Sequence, residues 1–257
     1  MIQNIKGASS MRMEAKKFGK LSKKIPSIIS SVILAFYCLL KANRLRLAMK
    51  KICPLCQTPS EFFYEDTQRY YKCPKCHGIF VAEEQLPDEK SEKERYELHD
   101  DDTEDVGYRK FVSPITSNIL KDFSAADKGL DFGAGTSQII TKVLQEAGYD
   151  ILSYDPYFHN YLQLLEEKYD YIASCEVIEH FYQPKKEFTL LKSMLKKGGK
   201  LYLMTDIYDE KIDFASWYYK NDPTHVFLYR KETFEYIAKE FCFSVEKIEK
   251  RLVVLRG

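Results

Sequence analysis

Four cysteines spaced C-x2-C-x16-C-x2-C limit what this chain can fold into more than any other feature: Cys53 and Cys56 form one pair, Cys73 and Cys76 the other. Two cysteines three apart can turn around one metal ion, and two such pairs supply the thiolates of a closed tetrahedral zinc site. The segment between the pairs carries Phe62, Phe63, Tyr64, Tyr70 and Tyr71, a composition suited to a β-hairpin that brings the pairs together. So short a module buries too little apolar surface to fold without metal. The zinc is therefore read as structural, and four reduced thiols packed as small hydrophobes are the alternative. His77, directly after Cys76, is read as a neighbour, because a full thiolate set leaves zinc no open position.

The pattern resembles a zinc ribbon, assigned to residues 49–82. The other cysteines, Cys38, Cys175 and Cys242, are scattered through apolar stretches, which fits a reducing, cytoplasmic setting better than a disulfide scaffold. With 39 basic and 38 acidic side chains the net charge is +1, so no global field draws the chain onto nucleic acid or anionic lipid. At 257 residues there is room for a medium domain beside a small appendage. Residues 1–48 read differently, with five lysines between Lys16 and Lys24 ahead of an uncharged run over 25–40. That run is sixteen residues long and four of them are Ser or Pro, whereas a spanning helix wants about 20 apolar residues. Three readings stay open: an extension dispensable because "MKKICPLC" from Met49 looks like a natural start, a peripheral membrane anchor through 25–40, and a docking helix.

The second informative stretch is "GLDFGAGTSQIITKVLQEAG", residues 129–148. A short apolar strand meets Asp131, turns through Gly133 and Gly135, and continues as a helix with Ile139, Ile140, Val143, Leu144 and Ala147 on one face. Glycines at such a turn let the backbone approach a ligand at the helix N-terminus. A second apolar stretch, Ile151 to Tyr154, ends in Asp155, twenty residues beyond Gly135, where a doubly wound nucleotide-binding fold places the acid that takes ribose hydroxyls. The dinucleotide fingerprint G-x-G-x-x-G fits poorly, since Gln138 stands where its third glycine belongs.

"LDFGAG" resembles motif I of the class I S-adenosylmethionine-dependent methyltransferases, with Ser137 in place of that motif's usual third glycine. The resemblance continues in order through "YDYIASCEVIEHF" (169–181), like the fourth strand and its loop, and "LLKSMLKKGGKLYLMT" (190–205), like a helix, a double-glycine stop at Gly198 and Gly199, and the fifth strand. "FSVEKIEKRLVVL" then looks like the terminal antiparallel hairpin, after a helix over Phe234 to Phe241. The likeness is closest to the ubiquinone-pathway-like group, whose members mostly act on small molecules. Only thirteen residues separate Asp155 from Tyr169, so the family's third strand is expected to be missing or reduced, and no adenine-recognising residue is named.

The resemblance implies an α/β, Rossmann-like sheet with a terminal hairpin over 108–257, preceded by the ribbon and an acidic linker over 83–107. It implies S-adenosylmethionine as cofactor, held by Asp131, Gly133, Gly135, Asp155 and Glu176, with Tyr108 closing the pocket and Arg109 pairing the methionine carboxylate. Methyl transfer from a sulfonium is an in-line displacement, so the protein mainly aligns the nucleophile and removes its proton. "WYYKNDPTHVFLYR", residues 217–230, lies where the family inserts substrate-binding elements. An imidazole titrates near neutrality, which makes His225 the first candidate for general base and His180, of the Glu179-His180 pair, the second. Each is also readable as a hydrogen-bonded structural histidine, and Trp217, Tyr218 and Tyr219 either cover an apolar substrate or close the sheet edge. Three functions follow: methylation of a small-molecule acceptor, RNA methylation with the ribbon touching the substrate, and a degenerate fold serving as a zinc-dependent scaffold. Near-neutral charge and the acidic linker count against RNA.

Overall fold

The cysteine pairs close as matched knuckles in the computed structural model, which describes residues 50–97 and 105–257. The basic extension with its 25–40 run and the Asp100–Asp102 run lie outside the described residues. In each knuckle the residue after the second cysteine takes a left-handed backbone, Gln57 at φ 58° and His77 at φ 61°. Its N–H then returns to the first cysteine's carbonyl, Gln57 to Cys53 at 2.9 Å and His77 to Cys73 at 3.0 Å. His77 thus closes a turn.

The knuckles cap a small antiparallel sheet. Strand β1 (Lys51–Ile52) pairs with β2 (Pro59–Glu65), β2 forms the hairpin with β3 (Arg69–Lys72), and β3 pairs with β4 (Ile79–Val81). Within the linker, α1 (Glu89–Glu97) is helical. Helix α2 (Val106–Asp122) follows, its N-cap Asp105 accepting the Tyr108 amide at 2.8 Å.

The large sheet comprises β5 (Lys128–Phe132), β6 (Asp150–Tyr154), β7 (Tyr169–Cys175), β8 (Leu195–Met204), β10 (Ser244–Ile248) and β11 (Leu252–Arg256), in the order β10-β11-β8-β7-β5-β6. Strands β6, β5, β7 and β8 are parallel, and β11 and β10 run antiparallel, which is the anticipated terminal hairpin. Helix α3 (Ile139–Glu146) joins β5 to β6, α4 (Pro184–Met194) precedes β8, and α5 (Lys231–Glu240) precedes β10. The third strand is indeed missing. Between Asp155 and Tyr169 the chain makes a tight bridge at Asp155 and His159 and a 3-10 turn over Leu162–Glu166, leaving β6 as the edge.

Alternation along the strands decides which helices cover which face. Leu130, Ile172, Leu201, Leu203, Val253 and Leu255 pack with α4 and α5, whereas Ile151, Tyr171, Tyr202, Leu252 and Val254 pack with α2 and α3. The double glycine does not stop a helix. Helix α4 ends at Met194 because Leu195 already pairs with Tyr169, so Gly198 and Gly199 lie inside β8.

The ribbon is not a bead on a string. A short strand of the 217–230 segment, β9 (Phe227–Leu228), pairs with β4 in the register Ile79↔Leu228 and Phe80↔Phe227. Leu55, Tyr71 and Phe80 join the same core as α4 and α5, and Lys51–Gly257 forms one compact unit.

Candidate functional site

A cavity of about 1000 Å³ opens at the C-terminal ends of β5, β6 and β7, at the point where strand order reverses and a doubly wound sheet leaves a crevice. Its first end is made largely of backbone. After β5 the chain turns through Gly133 (φ 80°), and the amides of Gly133 and Ala134 both donate to Tyr154 O, at 2.8 and 3.1 Å. A Cβ on Gly133 would stand 2.4 Å from the Val177 side chain, so no other residue fits. At Gly135 (φ 62°) a Cβ would meet nothing within 4 Å, and the residue lines the cavity. A side chain there would occupy the space a ligand needs.

Asp155 faces this turn and is 7% exposed. Its Oδ2 accepts the Gly135 amide at 3.0 Å, and its Oδ1 accepts those of Tyr157 and Phe158 at 2.9 and 3.1 Å. A carboxylate offers about four lone-pair sites, so capacity for one strong ligand hydroxyl remains. The residues of this end fit an adenosyl sulfonium: a side-chain-free backbone turn, an acceptor beside it, and the Phe132 and Tyr154 rings on the wall.

The other end is made of side chains. Glu176 follows β7 in a left-handed conformation (φ 54°) costly for a residue with a Cβ, and pairs with Arg251 at 2.9 Å. The Tyr219 hydroxyl bonds both Glu176, at 3.2 Å, and Glu179. Glu179 is fully buried, and that burial, with the Glu176 charge second, raises its carboxyl to about 8. His180 and His225 lie edge to face with centroids 4.8 Å apart, and both line the cavity. Nδ1 of His180 meets Thr224 O at 2.9 Å and Nδ1 of His225 meets Tyr219 O at 2.7 Å.

Of the residues singled out from sequence, Gly133, Gly135, Asp155, Glu176, Tyr108, His180 and His225 all line this one cavity. Asp131 does not. Strand alternation turns it away from Leu130 and Phe132 onto the α3 side, where Oδ2 accepts the Thr141 amide at 3.2 Å and its hydroxyl at 3.0 Å. Burial raises this carboxyl to about 7, and it anchors the start of α3. Arg109 also points elsewhere, forking onto Glu146 of α3 at 2.7 and 2.9 Å. Trp217 is 4% exposed, packed with Tyr208 and donating its indole N–H to Asp206 at 3.2 Å, so it belongs to the support of the loop.

Arg251, Glu92 and Arg95 are among the lining residues that escaped the sequence reading. Arg251 sits between β10 and β11, in a stretch read from sequence only as the terminal hairpin. Glu92 and Arg95 come from α1 in the acidic linker: Glu92, 8% exposed, accepts the Tyr157 hydroxyl at 3.0 Å, and Arg95 binds Asp222 at 2.8 Å. Although burial works to raise the Asp222 carboxyl, hydrogen bonds from Thr224 and Arg95 hold it well below the usual range.

The four ribbon sulfurs lie within 4.8 Å of one another, with Cys53 and Cys76 at 3.5 Å and Cys56 and Cys73 at 3.3 Å. These separations are too long for disulfides and near the roughly 3.8 Å that bonds of about 2.3 Å give around tetrahedral zinc. The donor set and its burial fit that metal.

Residues 105–248 match a family model described as a methyltransferase domain. Solved structures of similar shape include a SAM-dependent methyltransferase from Archaeoglobus fulgidus, at 14% identity and a TM-score of 0.46, covering 58% of this chain and 94% of that one. Another is a magnesium protoporphyrin IX methyltransferase from Synechocystis with bound SAH, at 13% identity and a TM-score of 0.46, covering 65% and 94%. A third is a phosphoethanolamine N-methyltransferase from Haemonchus contortus, at 21% identity and a TM-score of 0.38, covering 52% and 38%. No curated protein matches the chain. Among the described residues no helix is long and apolar enough to cross a membrane.

Proposed function

The chain belongs to the methyltransferase domain family, and from that premise we propose that it transfers the methyl group of S-adenosylmethionine to a small-molecule acceptor, with structural zinc in the ribbon. The observation that carries this reading is the Gly133–Gly135 turn with Asp155 hydrogen-bonded beside it in the cavity wall. The turn leaves room for the cofactor's methionine and ribose parts, and Asp155 accepts a ribose hydroxyl. Tyr108 and Phe111 of α2 also line the cavity. When bound, the cofactor supplies the electrophilic methyl and a sulfide leaving group.

The acceptor lies against His225, His180 and the Tyr218 and Tyr219 rings. With Nδ1–H of each imidazole donated to a backbone carbonyl, Nε2 keeps the lone pair a general base requires. Glu92 and Arg95 of α1 line the same cavity. Cys53, Cys56, Cys73 and Cys76 hold the zinc, which keeps the ribbon folded under the acceptor loop.

Native mass spectrometry with added S-adenosylmethionine tests the reading. One zinc and one cofactor per chain are expected, and the cofactor increment should disappear in Asp155→Ala. A chain that gains no cofactor at saturating concentration would leave the family's fold serving as a scaffold.

A further inference from the structure

Beneath the two histidines lies a feature that neither the fold nor the cofactor requires. Glu179 is fully buried, and although its Oε1 accepts the Tyr219 hydroxyl, its Oε2 is enclosed without any hydrogen-bond partner. A buried carboxylate with an unpartnered oxygen is costly, on the order of several kcal/mol, so Glu179 either keeps its proton, as its raised carboxyl does here, or meets a cation. A ligating atom from each of Glu179, His180 and His225 lies within 4.8 Å of the other two. Ligands of a single ion stand about 3–4 Å apart, so a small inward movement completes the set.

The three residues are held in place by the scaffold. The Val226 amide donates to Glu179 O at 2.9 Å, and the Tyr229 hydroxyl donates to Ile178 O at 2.9 Å, which ties the segment after β7 to the strand that the ribbon supports. Both imidazoles present Nδ1 to a backbone carbonyl, at 2.9 and 2.7 Å. This second-layer contact fixes the tautomer with Nε2 unprotonated, the arrangement that metal-ligating histidines adopt.

We propose that Glu179, His180 and His225 bind a divalent cation at the floor of the cavity, separate from the ribbon zinc, and that this cation takes a hydroxyl oxygen of the acceptor as a further ligand. Two imidazoles and one carboxylate favour a first-row transition ion over magnesium or calcium. A three-residue set leaves coordination positions open towards the cavity, which the half-buried His180 and His225 line. Coordination to the cation lowers the hydroxyl's pKa. With both Nε2 lone pairs given to the cation, the imidazoles no longer serve as general base: the O–H bond breaks, the proton passes to water, and the electron pair stays on oxygen, which becomes the nucleophile. The acceptor half of this inference rests on the methyl-transfer reading; the cation half does not.

Mn2+ binding to the full-length chain tests it, read by the electron paramagnetic resonance signal of free Mn2+ in the absence of S-adenosylmethionine. Manganese discriminates because four thiolates do not favour it. One Mn2+ per chain is expected, with affinity at least tenfold weaker in Glu179→Gln and in His225→Gln. The Gln variants retain a side chain of similar shape, and Trp217 emission reports whether the loop stays folded. No binding by the wild-type chain up to about 1 mM Mn2+, or equal binding by folded variants and wild type, would overturn the site. Because cofactor binding is measured separately, failure of the cation site leaves the methyl-transfer reading standing, and failure of that reading leaves the cation measurable.

Discussion

The two ends of the cavity are held by different means. At the Gly133–Gly135 end the wall is backbone, and its hydrogen bonds run to the neighbouring strand end at Tyr154 and Asp155. At the His225 end the wall is side chains on a segment with little regular structure, two 3-10 turns and the two-residue β9. Alongside its hydrogen bonds to Glu176, Glu179 and Asp206, that segment takes part of its support from the ribbon. Besides the β4–β9 pairing, the Tyr70 hydroxyl donates to Lys220 O at 2.9 Å, Gln68 reaches Pro223 O at 3.2 Å, and Asp66 pairs with the buried Lys220. The comparison teaches that the ribbon packs against the His225 end, whereas the Gly133–Gly135 end is built by the large sheet.

The largest separation of the two ends should come from the knuckles themselves. Structural zinc contributes on the order of 10 kcal/mol to modules of this size, so Cys73→Ser or strong chelation should unfold the ribbon. Trp217, the single tryptophan, is packed against Tyr208 in the segment the ribbon supports and should shift its emission to the red. Affinity for S-adenosylhomocysteine, read by calorimetry below the lowered melting point, should change by less than about threefold. Loss of both together would break the comparison.

Gly133→Ala attacks the other end. The new methyl collides with Val177 and the residue keeps a left-handed backbone, which together cost about 2–4 kcal/mol. Adding Val177→Ala should recover part of the melting temperature by relieving the collision, leaving the backbone cost. Trp217 emission should stay unchanged throughout, and a shift would show that the ends are coupled.

Acid titration sharpens the picture at Asp131. Its carboxyl ionises near 4 when the chain is unfolded and is raised to about 7 in the fold. Folding therefore takes up a proton between those values, so this contribution to stability is full below pH 4, declines as pH rises to 7, and is level above. Asp131→Asn removes the dependence. The variant's stability relative to the wild type should improve by about 2 kcal/mol between pH 5 and pH 8, read from denaturant midpoints. A constant difference would show that Asp131 stays ionised in the fold.

The smallest effect is expected at Arg95. Its pair with Asp222 is partly exposed, the Arg95 side chain at 39%, and such pairs contribute about 0.2–1 kcal/mol. Arg95→Ala should loosen α1 over the cavity, raising hydrogen exchange in residues 89–97 with global stability nearly unchanged. Protection equal to the wild type would mean that other contacts, such as Tyr182 with Pro87 O, hold that segment.

Much of the cofactor end was legible in the sequence because its parts are local. A strand, a glycine turn and a helix occupy twenty consecutive residues, and the acid beside them directly follows the next strand. The knuckles were legible for a similar reason, since metal geometry fixes the cysteine spacing. Asp131 was misjudged by position alone, although the period-two alternation that turns it towards Thr141 was present in the same five residues. The pairing of β4 with β9 joins residues nearly 150 apart through a two-residue strand, too short to carry a periodic signal. Arg251 and Glu92 were not singled out, because burial of a charged side chain depends on partners that only the fold brings near. The left-handed backbone at Gln138 (φ 49°), where a dinucleotide fingerprint would have glycine, shows that the turn keeps its shape at a cost the sequence alone did not reveal.

Gly135→Val is the sharpest probe of the cofactor end. The new side chain meets no protein atom near its Cβ and projects into the space assigned to the cofactor. Titrating S-adenosylhomocysteine into wild-type and variant chains in the calorimeter should give one site per chain for the first and no measurable heat for the second, with both chains folded. Equal affinities would place the ligand somewhere other than the part of the cavity lined by Gly135 and Asp155.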